Sequence, residues 1–276
     1  MNIAILSNID LTSSLIFKEV CCHEDFEIVG VGFSSTLTKK GGFLAGMVDL
    51  FRRCDKKYFI YMCFLNGVYA LKEMIFFVIF ILEKSLGKDF FSLRNYARRN
   101  KIEVVNSNDF NSPEFIQKLK TWNPDIVLTR INQILKNEIL NLPKYGCLCC
   151  HSSLLPAYKG IAAEFYNLLN GEKNAGFTIF QMTEKLDKGD ILSQEEIDIS
   201  ERDSLYSLTV KNAKHGSCLL LKTLIQRKNG PLPLMRQYTS GNYYSWPDSQ
   251  SAKLFKKKKN KFIRLTEVVS YLVGYS

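Results

Sequence analysis

Three absences narrow the possibilities first. The chain has only three histidines, His23, His151 and His215, among its 276 residues. Imidazole chemistry near neutral pH, if there is any, rests on one of these three. No apolar run is long enough to span a bilayer: the longest, Met74–Leu82, has nine residues, against the roughly twenty that a spanning helix needs. The eight cysteines show no disulfide framework. Cys21-Cys22 and Cys149-Cys150 are vicinal pairs and the rest are irregularly spaced, which fits a reducing compartment. The opening residues Met1–Asn8 lack the basic and long apolar regions of a secretory leader, so a cytoplasmic location is expected. The first strand-to-helix turn, Ser7-Asn8-Ile9-Asp10, has neither the Gly-x-Gly-x-x-Gly pattern nor a Gly-Lys-Ser/Thr phosphate loop, which counts against nicotinamide and ATP chemistry.

What is present is ordinary globular composition, 46% hydrophobic and 23% charged, which excludes a disordered chain, a fibre or a coiled coil. Lys+Arg 37 against Asp+Glu 27 leaves a net charge of +10. That balance favours an anionic partner: nucleic acid, an acidic membrane surface or a polyanionic small molecule.

The pattern of elements predicts an α/β fold, a doubly wound and mostly parallel sheet. Asn2–Leu6 reads as a strand, Leu11–Cys22 as a helix capped by Thr12, Ser13 or Ser14, and Phe26–Phe33 as a second strand. An insertion at about residues 39–88 breaks this rhythm. Its expected helices are Phe43–Lys56 and Val68–Leu86, the second flanked by Lys72, Lys84 and Lys88. A buried helical hairpin is the plainer reading; a membrane-surface or dimer contact through residues 68–88 is the sharper one.

Strands then follow at Ile102–Val105, Asp125–Thr129, Gly146–Cys150, Gly176–Gln181 and Ile191–Ile199. Helices are expected at Leu93–Asn100, Ser112–Trp122, Lys136–Leu140, Ile161–Leu169 and Asp203–Arg227. Pro231 and Pro233 follow Gly230, which predicts a domain over residues 1–230 and a short basic extension over 231–276. In that extension an aromatic turn, Tyr243–Pro247, precedes a lysine-rich helix.

The chemistry-bearing segment is Gly146–Gly160, GCLCCHSSLLPAYKG. On a strand, Cys147, Cys149 and His151 point to one face. They lie at the carboxyl end, where open α/β sheets bind ligands. His151 there can act as a general acid or base. A second strand runs into a loop bearing Asp187, with Gly189 two residues on; an Asp so placed can orient or charge-stabilise an imidazole. Cys147, Cys149, Cys150 and His151 are contiguous, unlike the separated ligand pairs of structural zinc sites, so no metal is expected. Cys147 and Cys150 read as small core residues.

These segments resemble the signatures of the folate-dependent formyltransferase family, which includes enzymes acting on methionyl-tRNA, glycinamide ribonucleotide and sugars. The first family signature is Asn-x-His-x-Ser-Leu-Leu-Pro followed by aromatic, basic and Gly. Cys149–Pro156 with Tyr158-Lys159-Gly160 matches it except at position 149. Leu186–Ile191, LDKGDI, matches the second signature, and Asn123–Leu135 resembles the strand and folate loop. The resemblance implies a folate-dependent transferase of one-carbon groups that moves a formyl group from 10-formyltetrahydrofolate to an amine. The implied catalytic positions are His151, Asp187 and Cys149, and the implied folate-binding residues are Arg130, Ile131, Gln133, Ile134, Leu135, Leu154, Leu155, Leu186 and Gly189.

Cys149 occupies the slot of the family Asn, whose amide holds the formyl oxygen. A thiol is a weak donor. Three readings stay open: slow transfer, a Cys149 nucleophile beside His151, or a folate-binding homologue without turnover. Phe180 also stands where many members carry a second His. The short tail points to a small amine such as a nucleotide-linked amino sugar, and counts against tRNA.

Overall fold

The computed structural model describes residues 1–34, 43–82, 91–238, 240–264 and 266–267, with backbone only for a few helical positions, residues 75–82 among them. In chain order the elements are β1 (Asn2–Asn8), α1 (Leu11–Cys21), β2 (Glu27–Ser34), α2 (Phe43–Arg53), α3 (Lys56–Leu82) and α4 (Leu93–Arg99). Next come β3 (Val104–Ser107), α5 (Pro113–Trp122), β4 (Ile126–Arg130), α6 (Asn137–Leu140), β5 (Cys147–His151) and β6 (Tyr158–Gly160). The last are α7 (Ala163–Asn170), β7 (Asn174–Gln181), β8 (Ile191–Asp198), α8 (Leu205–Asn229), β9 (Asn242–Tyr244) and α9 (Ser249–Lys257).

Seven strands form one sheet in the order β3-β2-β1-β4-β5-β7-β8. The pairs from β3 to β5 are parallel, while β5–β7 and β7–β8 are antiparallel. The chain winds outward from β1 to β3 and then returns to β4 on the other side of β1. The strand order therefore reverses between β1 and β4, which opens a crevice at their carboxyl ends.

Alternation along the strands explains the two covered faces. Ile3, Ile5, Leu128, Leu148, Cys150, Phe177 and Ile179 meet Phe17 and Val20 of α1 and Leu220 and Leu224 of α8 on one side. Ala4, Leu6, Val127 and Cys147 meet Leu119 and Trp122 of α5 and Ile139 of α6 on the other. Strands buried on both faces read as continuous apolar runs, which is how β1 and β4 are written.

Several expected boundaries move. Asp10, rather than Thr12, Ser13 or Ser14, caps α1 by accepting from the Ser13 backbone N–H at 2.6 Å. The expected strand Ile102–Val105 begins at Val104 and reaches Ser107, because its pairing runs from Val31↔Val104 to Ser34↔Ser107. The expected helix Ile161–Leu169 starts at Ala163, since Tyr158–Gly160 is used in β6.

The second insertion helix starts at Lys56, twelve residues before the expected Val68. Asp55 explains the start: its Oδ1 accepts from the N–H of Lys57 at 2.8 Å and of Tyr58 at 3.4 Å. Tyr58, Tyr61 and Tyr69 then fall at helical spacing on a buried side. Lys84 and Lys88 lie outside the described residues, so the membrane or dimer contact expected of residues 68–88 is not addressed by them. Among the described residues no helix is long and apolar enough to cross a membrane.

The segment after Gly230 is stitched to the rest. β9 pairs in parallel with β6, registering Tyr158↔Asn242 and Gly160↔Tyr244. Phe255 of α9 is fully buried and stacks on Phe165 of α7 with ring centroids 4.6 Å apart. The backbone N–H groups of Leu205 and Tyr206 donate to the carbonyls of Lys261 and Phe262. The α9 lysines remain exposed, as the sequence predicts.

Candidate functional site

β5 delivers His151 to the carboxyl edge of the sheet. Its register on β7 sets Cys149 opposite Phe180 and His151 opposite Thr178. The His151 ring meets Phe180 edge-on at 6.4 Å. His151 Nε2 lies 3.0 Å from the Tyr158 carbonyl oxygen, so in the Nε2–H tautomer it donates there. Ser153 Oγ donates to that same oxygen at 2.6 Å. Thr178 and Gln194, neither singled out from sequence, hold the motif loop. Thr178 Oγ donates to the Ser153 carbonyl, and the Gln194 amide donates to the Leu155 carbonyl and to Thr178 Oγ. The Leu155–Pro156 peptide is cis.

The loop from β7 to β8 brings Asp187 to the same place. Its base is closed where the Gln181 N–H donates to the Asp190 carbonyl at 2.9 Å. Gly189 is required there, since a Cβ would sit 1.5 Å from the Gln181 carbonyl oxygen. Asp187 takes a left-handed conformation, φ 49°, and is buried. Its Oδ2 accepts from the Gly160 N–H at 2.7 Å. The described contacts of Asp187 thus run to β6 rather than to the imidazole. No hydrogen bond between Asp187 and His151 is found among the described residues; the short strand β6 instead receives His151 through Tyr158 and Asp187 through Gly160.

Cys149 packs against Leu155, Phe180 and Ile191. Burial, reinforced by the negative charge of Asp187, pushes its thiol up to about 12, against smaller opposing effects of Thr129 and Arg130. A thiol pushed up in this way weighs against a Cys149 nucleophile. Cys147 is fully buried in the core, and burial pushes it to about 12 as well. Cys150 faces the opposite side of the sheet, in the core beneath α8.

The residues expected to hold the folate fall into two groups. Ile134 and Leu186 are exposed, at 49% and 46%, on two loops joined where the Asn137 N–H donates to Glu184 Oε1 at 3.0 Å. Apolar side chains left open on adjoining loops suit a flat ring system. Ile131 and Leu154 are half-buried, and Leu154 lies against Gly176 of β7. Leu135 and Leu155 instead are core residues, 0% and 4% exposed. Gln133 spans neighbouring loops, accepting from the Phe110 N–H and donating to Ser34 Oγ and the Asn108 carbonyl. Leu135, Leu155, Gln133 and Gly189 therefore shape the loops from behind.

Arg130 closes β4 at the β1/β4 crevice. Its Nη1 lies 3.3 Å from Asp10 Oδ2. Its guanidinium charge also acts on the buried carboxyl of Glu164, on α7, a residue the sequence reading passed over. An open pocket lined by Leu154, Tyr158, Glu172 and Asn174 lies beside the site, but none of His151, Cys149 or Asp187 lines it.

The profile of the Formyl transferase family matches residues 82–224, slightly more than half of the chain. The chain belongs to this family. Over 123 residues this formyl transferase chain is 45% identical to the methionyl-tRNA formyltransferase of Caldanaerobacter subterraneus subsp. tengcongensis, covering 44% of this chain and 40% of that relative. The match thus spans less than half of the relative's length.

Among solved structures it is similar to the phosphoribosylglycinamide formyltransferase of Bacillus halodurans, with a TM-score of 0.54 and 19% identity over 82% of this chain and 95% of that one. It is also similar to the N-formyltransferase of Helicobacter canadensis solved with folinic acid and dTDP-3-aminofucose, with a TM-score of 0.55 and 17% identity over 91% and 72% of the two chains. At those identities the likeness shows a shared fold. The expected sheet and family resemblance are both met.

Proposed function

We propose that the chain transfers a formyl group from 10-formyltetrahydrofolate to a primary amine. The observation that carries this reading is the seating of His151 and Asp187 on β6 around Cys149. His151 Nε2 meets the Tyr158 carbonyl oxygen and Asp187 Oδ2 accepts from the Gly160 N–H. Two groups able to carry a proton or a charge are thereby fixed at one strand edge, between the loop of Ile134 and the loop of Leu186. The exposed Ile134 and Leu186 support binding of the pterin ring, with Arg130 and Ile131 following at the end of β4.

Transfer needs three things from the chain: the two reactants held together, a donor for the oxygen that gains charge, and a route for a proton from the attacking nitrogen to the departing one. His151 supplies the proton route. Asp187 holds β6 through the Gly160 N–H. The neutral Cys149 thiol is the weak member, standing where the family resemblance places an amide.

The acceptor is read as an amine on an anionic carrier, in keeping with the net charge of +10. A nucleotide-linked amino sugar is the small-molecule form of such an acceptor. Methionyl-tRNA is the second form, favoured by the 45% identity to a methionyl-tRNA formyltransferase. Full-length protein should be incubated with 10-formyltetrahydrofolate and each acceptor in turn, and the products read by mass. Formylated amine with loss of the donor is expected from one of them. Tetrahydrofolate binding without any product would leave only a folate-binding homologue.

A further inference from the structure

Glu164 stands in the first turn of α7 between Ala163 and Phe165 and is 9% exposed. No ion pair to it is found among the described residues. Burying a carboxylate is costly, and a residue kept only for packing would not need the charge. A side-chain hydrogen bond links it to the site. Asn212 of α8, fully buried, donates through Nδ2 to Glu164 Oε1 at 3.3 Å and to the Ser152 carbonyl at 3.2 Å, next to His151.

Two further oxygens here are buried without a partner, Asn212 Oδ1 and Ser152 Oγ. With the Glu164 carboxylate they make a cluster of buried oxygens linked through Asn212 to the residue after His151. It contains one carboxylate and no further acid or cysteine of the kind that would hold a divalent ion. The groups acting on Glu164 come from each neighbouring element: Arg130 of β4 and His151 of β5, and the hydroxyls of Tyr58 and Tyr61 of α3, which burial keeps neutral. Burial raises the Glu164 pKa, outweighing its own backbone N–H, Arg130, Asn212 and His151. A carboxylate raised in this way is a stronger base than an exposed one.

We infer that Glu164, with Asn212 and Ser152, receives the ammonium group of the acceptor and removes its first proton. This inference rests on the proposed formyl transfer. The three N–H donors of an alkylammonium match three clustered oxygen acceptors. One N–H bond breaks, its electron pair stays on nitrogen, and an O–H bond forms on Glu164. The neutral amine then attacks the formyl carbon. As the new C–N bond forms, the bond from the formyl carbon to the folate nitrogen breaks. The proton lost by the attacking nitrogen passes through His151 to that folate nitrogen. Glu164 returns its proton to water after the product leaves.

Two measurements on the full chain test this. First, protein carrying carbon-13 in its glutamate carboxyls is titrated with methylammonium chloride, the Glu164 signal being the one lost in Glu164→Gln. A saturable shift of that signal is expected with methylammonium, and none with tetramethylammonium, which has no N–H donor. No shift with methylammonium, or equal shifts with both, overturns the assignment.

Second, formyl transfer to methionyl-tRNA and to a dTDP-linked amino sugar is followed against pH for wild type and Glu164→Gln. The variant keeps the side-chain shape and removes a costly buried charge, so its melting temperature should not fall and its tetrahydrofolate affinity should be unchanged. Its kcat/KM should fall by about 10²-fold at neutral pH and recover as rising pH deprotonates the free amine. An equal loss at every pH, or no loss, refutes the proton-accepting role. If wild type formylates neither acceptor, the formyl-transfer reading fails, and the carboxyl titration alone decides whether Glu164 is an ammonium site.

Discussion

Replacing Cys149 with Asn sets catalysis against stability at one position. The amide would stand on the same face of β5 as His151, with a much stronger donor than a thiol. The loss of one donor to a developing oxyanion costs about 10²–10³ in rate, or some 3–4 kcal/mol. Restoring one can return up to about 10²-fold, because neighbours shaped around sulfur will not aim the amide ideally.

The opposing effect comes from the surroundings. Leu155, Phe180 and Ile191 offer no hydrogen-bonding side chains. Thr129 Oγ already donates to the Leu148 carbonyl at 3.0 Å. An amide with incomplete partners costs about 1–3 kcal/mol of stability, enough to lower the melting temperature by several degrees. The expected result is a faster but less stable enzyme, read from formylated product under steady-state conditions and from a thermal melt. Cys149→Ser should fall between, since a hydroxyl donates better than a thiol. A folded Cys149→Asn protein with an unchanged or lower rate would refute the placement of residue 149 at the formyl oxygen.

Other outcomes follow from the same geometry. With its thiol pushed to about 12, Cys149 should react with iodoacetamide at neutral pH far more slowly than the exposed Cys218, as peptide mapping by mass would show; rapid labelling of Cys149 would restore the nucleophile reading. Asp187→Asn keeps an acceptor for the Gly160 N–H, so it should melt within a few degrees of wild type while transfer falls about 10²-fold or more; His151→Ala should lose activity at least as far, and wild-type turnover in either variant would overturn the site. Phe255→Ala empties a fully buried ring position against Phe165 and should cost about 3–5 kcal/mol in denaturant unfolding. A transition unmoved by that change would favour an extension after Gly230 that folds separately.

The alternation of apolar residues and the strand–helix rhythm determined most of the sheet, because burial on both faces leaves a local pattern in the sequence. The slots of His151 and Asp187 were legible for a different reason: LLP and LDKGDI are contiguous words. What the words could not carry is distance. That the described contacts of Asp187 run to Gly160, and those of His151 to Tyr158, follows from β6, a three-residue strand whose partner β9 lies some eighty residues on. So short a strand has no period of its own to read.

The start of α3 at Lys56 was hidden because a helix rich in aromatics on several sides gives little contrast between faces. Leu135 and Leu155 are apolar like Ile134 and Leu186, and only packing separates core from open loop. Glu164 carries no motif that would single it out in the sequence. Its oxygen cluster exists because α8 brings Asn212 between Glu164 and Ser152, a meeting of three distant segments that only the closed tertiary structure makes.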